Sequence, residues 1–140
     1  MHSFFKTDTG NVSALILRLT LGAFMLPHGL QKTLGLFGGP GFTGAMGFLG
    51  GKFGTVIGFL VILGESLGAI AILLGFCTRF AAASIAVIMA GATFFVHAQN
   101  GFFAANNGFE MHLLAIGIGI ALTVAGGGVW SIDGMIAKKK

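Results

Sequence analysis

Two ionisable residues, Arg18 and Glu65, lie inside apolar segments where an unpaired charge is costly. Arg18 lies about 9 Å from the start of its apolar segment, at a rise of about 1.5 Å per residue. Glu65 lies about 15 Å from the same side of the protein by the same count. The difference of about 6 Å is within side-chain reach, so the sequence predicts an Arg18–Glu65 ion pair. Such a pair would conduct protons or bind a polar ligand, or it would only hold two helices in register.

Five further ionisable residues are predicted to gather near the opposite surface: His28, Lys32, His97, Glu110 and His112. His28 and Lys32 are four residues apart and share a helical face, whereas Glu110 and His112 are two apart and do not. Histidines at this level can bind a metal, relay protons or hydrogen-bond a quinone carbonyl. The alternative is a set of interfacial histidines wetted by lipid headgroups. We assign no metal, because the close spacing of a closed zinc site is missing, and no catalytic residue.

Several other chemistries are excluded by the sequence. Cys77 is the single cysteine, so the chain has no internal disulfide, thiol relay or cysteine-held cluster. Residues 39–44 match GxGxxG, but that pattern binds dinucleotides only between a strand and a helix. Any redox chemistry must therefore come from a cofactor or a partner.

The elements that carry these residues are predicted to be membrane helices. The chain is 55% hydrophobic and 9% charged, against about 25% charged residues in an average soluble domain. Four segments approach the roughly 20 apolar residues that cross a bilayer. They are Val12–Leu30, Gly54–Gly75, Phe80–His97 and His112–Gly128. We predict an all-α, polytopic membrane protein of one domain, residues 1–140, built as an antiparallel bundle of four transmembrane helices.

Small residues repeat at every fourth position within these segments, a spacing that lets helix backbones touch. The pairs are Gly64/Gly68, Ala86/Ala90 and Ala121/Ala125. They are predicted helix contacts.

The positions of the cations predict the orientation. Lys6, Arg79 and the run 138–140 share one side of the bundle, whereas Lys32 and Lys52 lie on the other. Because positive loops stay in the cytoplasm, both termini should be cytoplasmic, in the bacterial inner membrane. The glycine-rich segment Gly35–Gly54 would then lie outside, as a loop or short interfacial helix over the outer mouth of the bundle.

Short motifs in a fixed order resemble those of the DoxX family of small bacterial membrane proteins. They are Arg18, HGLQK at 28–32, GESLG at 64–68, GFCTR at 75–79, and HAQNGFF at 97–103 followed by Glu110. The resemblance runs from about Arg18 to Asp133. It implies a four-helix membrane fold and an association with oxidoreductases. An archaeal branch contributes to a thiosulfate:quinone oxidoreductase, and a mycobacterial relative is linked to a thiol and superoxide defence complex.

Three functions are compatible with these residues. The first is a membrane subunit or module of a quinone-linked oxidoreductase system, in which the histidine cluster receives a quinone and Arg18–Glu65 assists proton balance. The second is a non-catalytic anchor whose outer loop docks a soluble partner. The third is transport of a small solute by an oligomer, since four helices alone seldom enclose a pathway. The expected partners are the bilayer and a soluble oxidoreductase or a second copy. No nucleic acid is expected, because the cations form no basic face.

Overall fold

Six α-helices form most of the computed structural model, which describes residues 7–138. They are α1 (Val12–Leu34), α2 (Gly41–Phe53), α3 (Thr55–Leu74), α4 (Thr78–Ala92), α5 (Glu110–Ala125) and α6 (Ile132–Lys138). After α4 the chain continues through a π-helical turn, Thr93–His97, and a 3₁₀ turn, Ala98–Asn100. No strand occurs within residues 7–138. Lys6, Lys139 and Lys140, which support the predicted orientation, lie outside the described residues.

Three helical segments are long and apolar enough to cross a bilayer: Val12–Leu34, Thr55–Leu74 and Thr78–Asn100. Their outward side chains are apolar, as lipid requires; for example, Ile16 is 59% and Val87 is 72% exposed. The chain is therefore an all-helical membrane protein. The fourth predicted segment, His112–Gly128, is shorter as a helix, because α5 ends at Ala125 before three consecutive glycines.

Four helices share one core, with α1 on α3, α3 on α4, α4 on α5 and α5 on α1. Neighbouring helices run antiparallel. Gly22 of α1 lies against Ala69 of α3, and Gly29, which comes later in α1, lies against Glu65, which comes earlier in α3. Gly119 of α5 likewise meets Ala82, near the start of α4. We call the end where α1 begins the Arg18 end, and the end where α1 finishes the Lys32 end.

The predicted helix contact at Ala86 of α4 is confirmed, since a Cβ on Gly119 of α5 would lie 3.1 Å from the Ala86 Cβ. The contact between α1 and α3 is made by a glycine outside the predicted pairs. A Cβ on Gly29 would lie 2.5 Å from the carbonyl oxygen of Glu65, so α1 and α3 touch through their backbones there. The predicted pair Gly64 and Gly68 meets only the side chains of Ile88 and Ile85. Both glycines instead line a cleft.

The glycine-rich segment contains a helix, α2, at the Lys32 end. Ala45 and Leu49 of α2 are buried against Ile62 of α3 in a small second core. The Lys52 ammonium donates to the Phe95 carbonyl oxygen over 2.8 Å, at the π-helical turn after α4. These contacts hold α2 beside the end of α4.

Candidate functional site

Arg18 lies at the Arg18 end of the bundle and is fully buried. Its Nη1 donates to the carbonyl oxygen of Leu73 at 3.0 Å and to that of Ile72 at 3.5 Å. Its Nη2 donates to the carbonyl oxygens of Val129 and Trp130, at 2.9 and 3.1 Å. The last carbonyls of a helix lack intrahelical donors and carry the negative end of the helix dipole. Arg18 thus joins the end of α3 to the chain that follows α5.

The predicted Arg18–Glu65 ion pair is wrong. Glu65 lies level with Gly29, and Arg18 lies eleven positions before Gly29. That separation is roughly 16 Å along a helix, beyond the reach of either side chain. The sequence estimate failed because it assumed that the start of α1 and the end of α3 are level, whereas Arg18, six residues into α1, lies beside the end of α3.

Asp133 completes the polar group at the Arg18 end. Its two carboxylate oxygens each accept a backbone N–H over 2.8 Å, from Cys77 and from Thr78. These N–H groups begin α4, so Asp133 of α6 caps a helix that is distant in sequence. Burial, and then the nearby Asp133 carboxylate, raise the pKa of the Cys77 thiol. The Arg18 end is therefore a buried junction of α1, α3, α4 and α6.

Glu65 pairs with Lys32, and this pair forms one side of the candidate site. The Lys32 ammonium donates to Glu65 Oε2. Lys32 reaches down to Glu65 because α1 continues to Leu34, beyond its predicted end at Leu30. Glu65 is 4% exposed, and its charge is balanced within the site. His28 lies one turn before Lys32 and packs edge-on against Phe24, with ring centroids 5.2 Å apart.

His97 and His112 form the other side of the site. Their ring centroids lie 4.2 Å apart, with the ring planes inclined by 38°. His97 Nδ1 lies 2.8 Å from the carbonyl oxygen of Asn107. A carbonyl only accepts, so His97 Nδ1 carries the hydrogen and its Nε2 is the acceptor of the neutral ring. His112 Nδ1 is buried and has no hydrogen-bond partner within residues 7–138.

Glu110 does not join this site. Its Oε1 accepts the backbone N–H of Ala104 over 2.8 Å and so fastens the loop before α5. The helix α5 begins at Glu110 itself, so Glu110 and His112 point in different directions, as their spacing implies. Asn107, which orients His97, was not predicted. The Asn-Gly step at 107–108, with Asn107 at φ 60°, is a turn signal that would have marked it.

A cleft of about 1680 Å³ extends from these polar residues along the outer seam between α3 and α4. His28, Lys32, Glu65, His97 and His112 all line it, and its remaining surface is mainly apolar. Within residues 7–138 no three His, Cys, Asp or Glu side chains are grouped as metal ligands would be. The site therefore combines hydrogen-bonding groups at one end with a large apolar space, which suits an amphipathic ligand.

Sequence comparison identifies the family. The family model of DoxX matches residues 13–98, which include Arg18, the Lys32–Glu65 pair and His97. The chain belongs to the DoxX family. His112 and Asp133 of this DoxX protein lie beyond the matched region.

Two relatives of this DoxX protein come from Haemophilus influenzae, and both bear the name uncharacterized protein. One is 33% identical over 127 residues, covering 88% of this chain and 90% of the relative. The other is 28% identical over 128 residues, covering 91% of this chain and 85% of the relative. No solved structure matches the chain.

Proposed function

We propose that this DoxX protein is the membrane module of a quinone-linked oxidoreductase system and binds the quinone headgroup in the cleft at the Lys32 end. The observation that carries the proposal is the joining of a large apolar cleft to Lys32, Glu65, His97 and His112. A quinone needs donors for its carbonyl oxygens and an apolar environment for the rest of the molecule.

The residues at the mouth of the cleft fit that requirement. The Lys32 ammonium has three N–H donors and uses one on Glu65, so further donors remain for a carbonyl. His112 Nδ1 is a buried polar atom without a partner within residues 7–138, and a bound ligand would satisfy it. A bound quinone would supply reversible exchange of electrons and protons. The Glu65 carboxylate and the two stacked imidazoles can hold or release protons beside it.

The proposed placement is the bacterial inner membrane, as one domain with both termini cytoplasmic. Arg79 and Lys138 lie at the Arg18 end, and Lys32 and Lys52 lie at the other end. With the cytoplasmic side at the Arg18 end, the cleft mouth faces outward. We place α5 as the fourth spanning helix, since its 16 residues are apolar and it packs antiparallel to α4. The bundle would thin the bilayer slightly at α5.

The test is quinone binding to the protein in lipid nanodiscs, measured by native mass spectrometry with extraction of the bound molecule. We substitute both members of the ion pair, Lys32→Met with Glu65→Gln, so that no unpaired charge is buried. Loss of a hydrogen bond from a charged donor costs about 1.5–3 kcal/mol, or about 10- to 100-fold in affinity.

Lys138→Met is the control, because Lys138 is an exposed lysine outside the cleft. It should retain wild-type affinity. The proposal fails if no quinone binds the wild type. It also fails if the double variant binds quinone as tightly as the wild type does, once a thermal unfolding transition has shown that this variant is folded.

A second candidate function is anchoring of a soluble partner at the Lys32 end. Exposed aromatic rings favour it, because Phe37 is 69% and Phe103 is 64% exposed in the connections around α2 and before α5. Crosslinking from Phe103, replaced by a photoreactive residue, should then yield one soluble partner in cells. If the photoreactive residue at this position crosslinks only to lipid, that result would count against anchoring.

A further inference from the structure

The cleft extends far beyond the polar residues, along the seam between α3 and α4. On α3 it is lined from Ile57 to Ala71, and on α4 with the π-helical turn that follows it, from Phe80 to Phe95. These ranges measure roughly 21 and 22 Å at about 1.5 Å per residue. The hydrocarbon core of a bilayer is about 30 Å thick, so the groove follows most of its depth.

Glycines line the groove on both helices. Gly64 and Gly68 line it on α3, where the space beside them is taken by Ile88 and Ile85 of α4, and Gly91 lines it on α4. A Cβ on Gly91 would meet nothing within 4 Å, so the space beside it is open. A groove with such walls accepts a long apolar chain lying along the helices.

The charge at the mouth restricts the headgroup that such a chain can carry. Lys32 is the only Lys or Arg among the described residues that line the cleft, and Glu65 neutralises it. A phosphate headgroup needs unpaired cations, usually an arginine fork. The mouth instead offers a neutralised pair and two histidines, which suit uncharged carbonyl or hydroxyl oxygens.

We infer that the ligand of this site is a neutral amphiphile with one long isoprenoid chain, and that the chain lies in the α3–α4 groove and reaches past Ser84 toward the Arg18 end. This inference rests on the proposed function for the headgroup and adds the tail as a second determinant of binding. A phospholipid, with its charged head, fits the mouth of the groove less well.

The experiment fills the groove without disturbing the fold. Ser84→Phe places a ring on the wall of the groove, two turns nearer the Arg18 end than Gly91, whereas Gly117→Phe places one in open space on α5, outside the groove. Each variant in nanodiscs is offered a long-tailed quinone, the same headgroup without a tail, and an isoprenoid alcohol of the same length. Native mass spectrometry measures retention of each probe, and extraction identifies any phospholipid that stays bound.

We expect Ser84→Phe to lower retention of both long-tailed probes at least tenfold, with no change for the tail-less headgroup, and Gly117→Phe to behave as wild type. Equal affinity of the wild type for tailed and tail-less quinones would overturn the tail assignment while leaving the headgroup site standing. Retention of the alcohol but of no quinone would overturn the proposed function and keep the groove. A stoichiometric phospholipid that is lost in Ser84→Phe, and that neither long-tailed probe displaces, would overturn this inference.

Discussion

Replacing Arg18 by methionine should cost this protein a large part of its stability. The guanidinium is fully buried and donates to four carbonyl oxygens, on α3 and on the chain after α5. Methionine matches much of the apolar stem of arginine but offers no donor. The substitution therefore leaves those carbonyls in a buried environment without this partner.

The magnitude follows from the number of carbonyls affected. Ile72 also accepts from the N–H of Gly75, so the main losses are at Leu73, Val129 and Trp130. An unsatisfied buried carbonyl costs about 1–3 kcal/mol, and removing one partner of a buried charged network costs about 3–5 kcal/mol. We expect a loss of about 3–5 kcal/mol, against a total stability of about 5–15 kcal/mol for a typical domain. Arg18→Lys should fall between, since a single ammonium cannot span both groups of carbonyls.

The assay is reversible unfolding in mixed micelles, with Lys138→Met as the exposed control. Double-mutant cycles then distinguish the observed Lys32–Glu65 ion pair from the Arg18–Glu65 pair that the sequence predicted. Arg18→Met combined with Glu65→Gln should be additive within about 0.5 kcal/mol, because the two residues share no partner. Lys32→Met combined with Glu65→Gln should show a coupling of about 0.5–3 kcal/mol. A strong coupling between Arg18 and Glu65, or an Arg18→Met variant as stable as wild type, would refute this reasoning.

Two further predictions concern the helix contacts and the Arg18 end. Gly29→Ala should destabilise the protein by about 1–3 kcal/mol, because its Cβ would meet the α3 backbone, whereas Gly117→Ala, in open space, should be neutral or stabilising in the same unfolding assay. Alkylation of Cys77 by a membrane-impermeant maleimide should proceed from the cytoplasmic side only. Because burial and Asp133 raise the thiol pKa above its ordinary 9.0, its rate should still be rising above pH 9, and Asp133→Asn should accelerate it at neutral pH. Labelling from outside, or a rate that levels off below pH 9, would contradict these expectations.

The sequence was informative about helix positions and about which polar residues need partners, because lipid penalises unpaired charge at any depth. It was not informative about which partners they find. That choice depends on the relative heights of the helices, and a shift of two turns replaces Arg18 by Lys32 beside Glu65. Glycines gave a similar result: their spacing was visible, but whether Gly64 packs against a backbone or leaves a groove depends on helix rotation. Asp133 shows the same limit, since its partners on α4 are 55 and 56 residues away.

The two polar groups of the protein are built differently, and that difference indicates where ligand chemistry belongs. At the Arg18 end, Arg18 and Asp133 are at most 1% exposed and their charges are used on backbone groups of three segments. Such a junction fixes geometry, and neither residue lines the cleft. At the Lys32 end the charged pair and both histidines border open space, and His112 keeps a polar atom without a partner within residues 7–138. Arg18 Nε and Thr78 Oγ1 at the Arg18 end also lack partners within residues 7–138, so an unsatisfied atom alone does not distinguish the two ends. What favours a ligand at the Lys32 end is that the polar groups there border a large apolar cleft.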